Sequence, residues 1–138
     1  MSETKNSASV WDLFETMADA EVSGTWIEIG AAKFKLARAG GANENFMKTA
    51  NKRLKPFQSA MDSLPKKAAD ELAQGIFVDT LLLDWKNVTD RDGKDLPFSK
   101  EAARKLLSQL PNLFLALQAE AHKMSNFTKN NLDAAAKN

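Results

Sequence analysis

Residues 79–99 read DTLLLDWKNVTDRDGKDLPFS, and the fold turns on how they are taken. Leu81-Leu82-Leu83 reads as the end of an apolar helix that runs into Trp85. A polar loop follows, with a tight turn at Asp92-Gly93, because glycine accepts a positive φ without strain. Leu96-Pro97-Phe98 brings the chain back inside, and Ser99 is placed to cap the next helix. The stretch is suited to hold two helices at a fixed angle. Trp85 and Phe98 are its aromatic anchors, and Asp92, Gly93 and Pro97 shape the loop between them. A calcium loop is the other reading of these acids. With Gly93 in the sixth position of an EF-hand loop, Val88 falls at the first and Ser99 at the twelfth, and neither supplies the carboxylate required there. A solvated turn explains the loop better.

Outward from this stretch, most of the chain has helical spacing. Upstream, a helix is predicted from about Lys66 to Trp85, apolar nearly all round in its second half and therefore central. Gly75 within it costs ~1 kcal/mol relative to alanine, which suggests close packing of another element. Asn43 to Ser63 has Phe46, Met47, Ala50, Leu54, Phe57 and Met61 roughly on one side. Pro56 must bend or break that helix. Downstream, Lys100 to Gln109 turns Ala102, Ala103, Leu106 and Leu107 inward. A last helix from Pro111 places Leu113, Phe114, Leu117, Ala121, Met124 and Phe127 at helical spacing. Only residues 25–37 alternate with period two. Thr25 to Ile29 and Ala32 to Ala37 read as strands joined by Gly30-Ala31, a pair that suits a type II′ turn. A lone hairpin is marginal in water, so it must pack on helices or pair with another sheet edge.

The N-terminal segment reads separately. Residues 1–22 are expected to form a polar arm carrying one short amphipathic helix, with a single helical domain over 23–138. Ser9 with Asp12 is a capping-box variant, and Val10, Leu13, Phe14 and Met17 share one face. Trp11, Phe14 and Met17 are the candidate partner-docking residues. Docking on the chain's own domain is equally compatible with the pattern. The expected fold class is thus mainly α: a compact bundle of about five helices with one small N-terminal β-hairpin.

Composition narrows the chemistry. The 138 residues include no cysteine and one histidine, so thiolate chemistry and multi-histidine metal sites are excluded. No cofactor and no metal is expected. Apolar runs are far shorter than the ~20 residues that span a bilayer, so no membrane association is expected. MSETKNSAS has neither a basic nor an apolar signal region, and the cytoplasm is the expected compartment. His122 lacks an assignable nucleophile or orienting carboxylate, so it reads as a surface residue rather than a general base. No Gly-rich phosphate loop or serine elbow occurs, and no enzyme is expected. The net charge of +1 hides an asymmetry: one base stands against six acids over residues 1–32, and nine bases against two acids over 33–67. Such a division can steer self-association, or simply neutralise itself within one fold. The stripe Lys48, Lys52 and Lys55, with Arg53 nearby, leaves a nucleic-acid-binding or DNA-packaging accessory using the basic 48–67 region as the alternative function.

One resemblance adds to this. Leu81, Leu82, Trp85, Val88, Thr89, Asp90, Asp92, Gly93, Lys94, Leu96, Pro97, Phe98 and Ser99 form a run that resembles one found in tail assembly chaperones of long-tailed bacteriophages. Weaker likenesses are Thr25-Trp26-Ile27, Leu36 to Gly40, Arg53 to Phe57 and Asn126-Phe127. The resemblance covers roughly residues 25–127 and leaves out the N-terminal helix. It implies a non-virion protein of the host cytoplasm that acts during tail morphogenesis. Its partners would be the tape measure protein, which it keeps soluble, and the tail tube protein, whose subunits it helps to recruit. It also implies homo-oligomers, and a frameshifted longer form continuing from the region of residues 133–138. No catalytic residue is needed for such work.

Overall fold

Residue Leu81 is where the central helix stops. Its backbone, at φ −112° and ψ −39°, closes the helix by donating its N–H to the Phe77 carbonyl at 2.8 Å. The next five residues, Leu82–Lys86, are a strand rather than a helix end. The computed structural model describes residues 8–129 and 131–132. In chain order the elements are α1 (Val10–Phe14), α2 (Ala18–Ser23), β1 (Thr25–Ile29), β2 (Ala32–Leu36), α3 (Glu44–Leu54), α4 (Lys66–Thr80), β3 (Leu82–Lys86), α5 (Lys100–Gln109) and α6 (Pro111–His122). Short 3-10 turns follow α3 at Lys55–Ser63 and α6 at Met124–Phe127. Expectations for residues 1–7 and 133–138, the frayed ends and the frameshift site, lie outside the described residues.

The expected bundle of about five helices with an N-terminal hairpin is corrected. Among the described residues there are six α-helices and a three-stranded antiparallel sheet in the order β1-β2-β3. The hairpin is not an N-terminal appendage. Two helices precede it, and β2 is the middle strand, bonded on its far side to β3. The physical reason lies in the apolar run itself. A continuous buried run has no period that separates helix from strand. Here Leu82 and Trp85 turn inward while Leu83 and Lys86 turn out. Phe34 lies opposite Trp85 and Leu36 opposite Leu82, with an irregularity at Lys35/Leu36 that re-phases the pairing. The third strand gives the hairpin the edge partner that a two-stranded ribbon lacks. At the hairpin tip, Gly30 has φ 61° and Ala31 does not share the positive φ, as a type II′ turn requires.

The core lies between the inner face of the sheet and helices α4, α5 and α6. Phe34, Leu36, Phe77, Val78, Leu81, Trp85, Leu107, Phe114 and Leu117 are its large members. Phe77 and Phe114 meet edge to face at 5.4 Å, the arrangement that ring quadrupoles favour. The segment after β2 ties several elements together. Ala37 N–H bonds the Leu81 carbonyl, Arg38 N–H that of Glu21, and Ala39 N–H that of Ala121, at 2.8–2.9 Å. Pro56 acts as expected: α3 ends at Leu54, and the tighter 3-10 turn takes over.

Gly75 is less crowded than its cost suggested. A Cβ built there meets only the Arg53 guanidinium, at 3.8 Å, an ordinary contact. Gly75→Ala is therefore expected to stabilise the fold by up to ~1 kcal/mol through helix propensity. A chemical-denaturation midpoint lower than wild type would contradict this.

Candidate partner-binding surfaces

Helix α1 is capped at its start and lies against the last 3-10 turn. The Ser9 hydroxyl accepts from the Asp12 N–H at 3.1 Å, and the Asp12 carboxylate accepts from the Ser9 N–H at 3.4 Å. This reciprocal cap satisfies donors that a one-turn helix would otherwise leave free. Its far end is fixed by the Met17 N–H on the Phe127 carbonyl at 2.9 Å and by a bridge between Thr16 and Thr128. No residue of α1 is buried. Trp11 is 70% exposed and Phe14 64%, with Val10, Leu13 and Met17 exposed beside them. Burying one such side chain is worth ~1.5–3 kcal/mol. A cluster of this kind marks an interaction surface more often than a lone apolar residue does.

A second apolar surface is a groove. Phe46, Ala50 and Leu54 of α3 face Leu72, Ala73 and Ile76 of α4 across a cavity of about 200 Å³, with Gln118 and His122 of α6 at one side. Sequence spacing shows that these residues share apolar faces. It does not show that the faces fail to close on each other, so the groove is not visible in it. His122 turns its ring Nδ1 to the Gln118 carbonyl at 2.8 Å, in an exposed position.

The residues of the phage-like run sit elsewhere. Trp85 is 5% exposed on β3. Its indole N–H bonds the Leu96 carbonyl at 2.7 Å, and its ring meets Phe98 edge to face at 5.1 Å and Phe34 at 6.2 Å. Phe98 is half-buried, whereas Pro97 and Asp92 are exposed. The loop is a small ribbon. Leu96 N–H bonds the Val88 carbonyl, and Asp90 and Lys94 pair through Asp90 N–H. Asp90 Oδ1 accepts the Asp92 and Lys94 N–H groups at 2.9 and 3.0 Å, and Gly93 takes φ 83°. That carboxylate organises a turn. Among the described residues no group of three or more His, Asp or Glu is placed to hold a metal. A second, wider cleft of about 650 Å³ lies between this loop and α5, floored by Leu96, Ala102, Leu106 and Leu110.

The basic stripe separates into two kinds of residue. Lys48, Lys52 and Lys55 are exposed. Arg53 instead turns to Asp79 at 2.7 Å, where Arg104 at 2.7 Å and Lys100 at 3.8 Å converge. Burial pushes the Asp79 carboxyl up, but the Arg53 hydrogen bond and the charges of Arg104, Arg53 and Lys100 outweigh it and hold the group below its ordinary value. Glu21 behaves likewise. Burial raises it, and the Arg38 hydrogen bond, the Ala42 N–H and the Arg38 charge bring it below its ordinary value. Both carboxylates cross-link elements of the fold. No described helix is long and apolar enough to cross a membrane.

The described surface thus offers exposed apolar side chains and an open apolar groove, while Glu21 and Asp79 are committed to ion pairs within the fold. A family model for the YdaY prophage protein matches residues 41–138, from before α3 to the C-terminus. The chain belongs to that family and is phage-derived. The match includes the groove and the Trp85–Ser99 run but not α1 or the hairpin. It does not distinguish a tail assembly chaperone from other prophage proteins. No curated protein and no solved structure matches the chain.

Proposed function

We propose that this prophage protein is a tail assembly chaperone without catalytic activity. It binds the tape measure protein in the host cytoplasm, helps recruit tail tube subunits, and is absent from the finished virion. The observation that carries this reading is the exposed cluster Val10, Trp11, Leu13 and Phe14, fixed on a capped helix. A long helical client with apolar stripes calls for such contacts, moderate singly and repeated along its length. The phage origin and the resemblance of residues 81–99 to the chaperone run support it.

The test is coexpression with the long tape measure protein encoded in the same prophage. The client is expected to become soluble and to co-purify, and Trp11→Ala with Phe14→Ala should reduce its recovery. A client that stays insoluble with and without the wild-type chain would overturn the reading. The competing nucleic-acid reading rests on exposed Lys48, Lys52, Lys55, Lys66 and Lys67. Lys48 and Lys66 already face Glu44 and Asp70, at 4.0 and 2.8 Å. Salt-sensitive retention of random-sequence DNA without client solubilisation would favour that alternative.

A further inference from the structure

We infer that α1 of one copy docks into the α3–α4–α6 groove of a second copy, joining chains head to tail. It draws on the same α1 residues as the client contact proposed above, so it is tested on the protein alone, and its failure leaves client solubilisation to be scored separately. Three observations on the two surfaces meet.

The first is shape and polarity. The groove, about 200 Å³, is lined almost wholly by apolar side chains. That is smaller than the ~300–1,000 Å³ of small-molecule sites, and suits one or two protruding side chains instead. Trp11 and Phe14 are such side chains, and tryptophan is a frequent anchor of protein interfaces. The second is charge. Around α1, Asp12, Glu15 and Asp19 are exposed acids, and residues 8–32 hold no base. The elements that line the groove carry exposed Lys48 and Lys52 on α3, Lys55 just beyond it, and Lys66 and Lys67 at the start of α4, five bases against exposed Glu44, Asp70 and Glu71 on the same helices. The third is where α1 is held. The Met17–Phe127 hydrogen bond and the Thr16–Thr128 bridge fix it beside the last 3-10 turn, with its apolar side chains in solvent and the groove left open. A second copy meets both surfaces as they stand.

The contact is small. Two aromatic side chains bury ~150–250 Å² each, so the interface sits at the weak end of specific association. Because donor and acceptor are different surfaces, the contact is heterologous and repeats into rings or filaments.

Sedimentation at low salt and high protein concentration tests this. Wild type is expected to form species that grow beyond a dimer with concentration and weaken, without being abolished, near 1 M salt, where screening acts within ~3 Å and removes only the charge contribution. The donor variant Trp11→Ala/Phe14→Ala should raise the dissociation constant about tenfold or more. The acceptor variant Ala50→Glu puts a carboxylate in the groove and should do the same. Ala69→Glu, on the facing helix, replaces it if its melting curve shows a folding defect. The deciding step is an equimolar mixture of the donor and acceptor variants. Each has one intact surface, so they should form a heterodimer and nothing larger. A wild type that stays monomeric throughout would overturn the inference, as would an acceptor variant that still self-associates through α1 alone, or a mixture that does not pair.

Discussion

Trp85→Ala is expected to cost ~3–5 kcal/mol, the range for removing a large buried aromatic and leaving part of its volume empty. Three losses combine. The Phe98 and Phe34 rings lose their edge-to-face partner. The Leu96 carbonyl loses the indole N–H that it accepts at 2.7 Å. The sheet loses the side chain that locks β3 onto the Val88–Leu96 ribbon. Trp85→Phe separates these contributions: the aromatic packing largely survives, while the carbonyl loses its donor, which costs ~1–3 kcal/mol. Denaturant unfolding of both variants measures the difference. A Trp85→Ala protein with an unchanged melting temperature but no client binding would make Trp85 a recognition residue and end its reading as an anchor.

Around this residue the sequence was legible in part. Leu81 to Phe98 announces an aromatic-braced loop because Asp-Gly and Leu-Pro-Phe have few other uses at that spacing. The polar turn follows from the chemistry of Asp90 and Gly93. What the run conceals is the change from helix to strand at Leu81. Leu81-Leu82-Leu83 is apolar throughout, and the arbitrating information is distant: Phe34 and Leu36 on β2 supply the partners that make Leu82–Lys86 a strand. Tertiary pairing overrode helical continuity there, and one hairpin became a three-stranded sheet.

The candidate surfaces divide the same way. Trp11, Phe14 and Met17 are legible from their spacing, because a capping box and an apolar face are local properties. Whether that face is covered is not local. Where the helix is held depends on the Thr16–Thr128 bridge, which joins residues far apart in the chain. The groove shows the converse. Phe46, Leu54 and Ile76 look like ordinary core positions, and only the separation of α3 from α4 leaves space between them. Arg53 belongs to neither. It sits in the basic stretch by sequence, but Asp79 draws it into an ion-pair cluster.

Glu21 is the other residue whose loss is expected to be substantial. It is 3% exposed and joins α2 to the segment after β2. One carboxylate oxygen accepts from Arg38, the other from the Ala42 N–H at 3.1 Å. Arg38 in turn is braced by Asn43, whose amide donates to the Arg38 carbonyl at 2.9 Å. Glu21→Ala strands the half-buried Arg38 guanidinium and the Ala42 N–H together, and leaving such partners unpaired costs ~1–3 kcal/mol. The pH dependence has a definite sign. In the fold the Glu21 carboxyl is held below its ordinary value of 4.5, so the native state binds protons less readily than the unfolded chain. The stabilisation is fully present above that ordinary value and is lost as pH falls from there through the lowered one. Asp79 adds a loss of the same sign below its ordinary 3.8. Glu21→Gln retains the shape and an acceptor but has no carboxyl to titrate. It is therefore expected to be less stable than wild type at neutral pH, with the gap narrowing as both are acidified below 4.5. Thermal melts of the two proteins between neutral and acid pH measure that gap. If it stays constant across the acid range, proton binding at Glu21 is not what couples this fold to pH, and the Glu21–Arg38 pair acts through its hydrogen bonds alone.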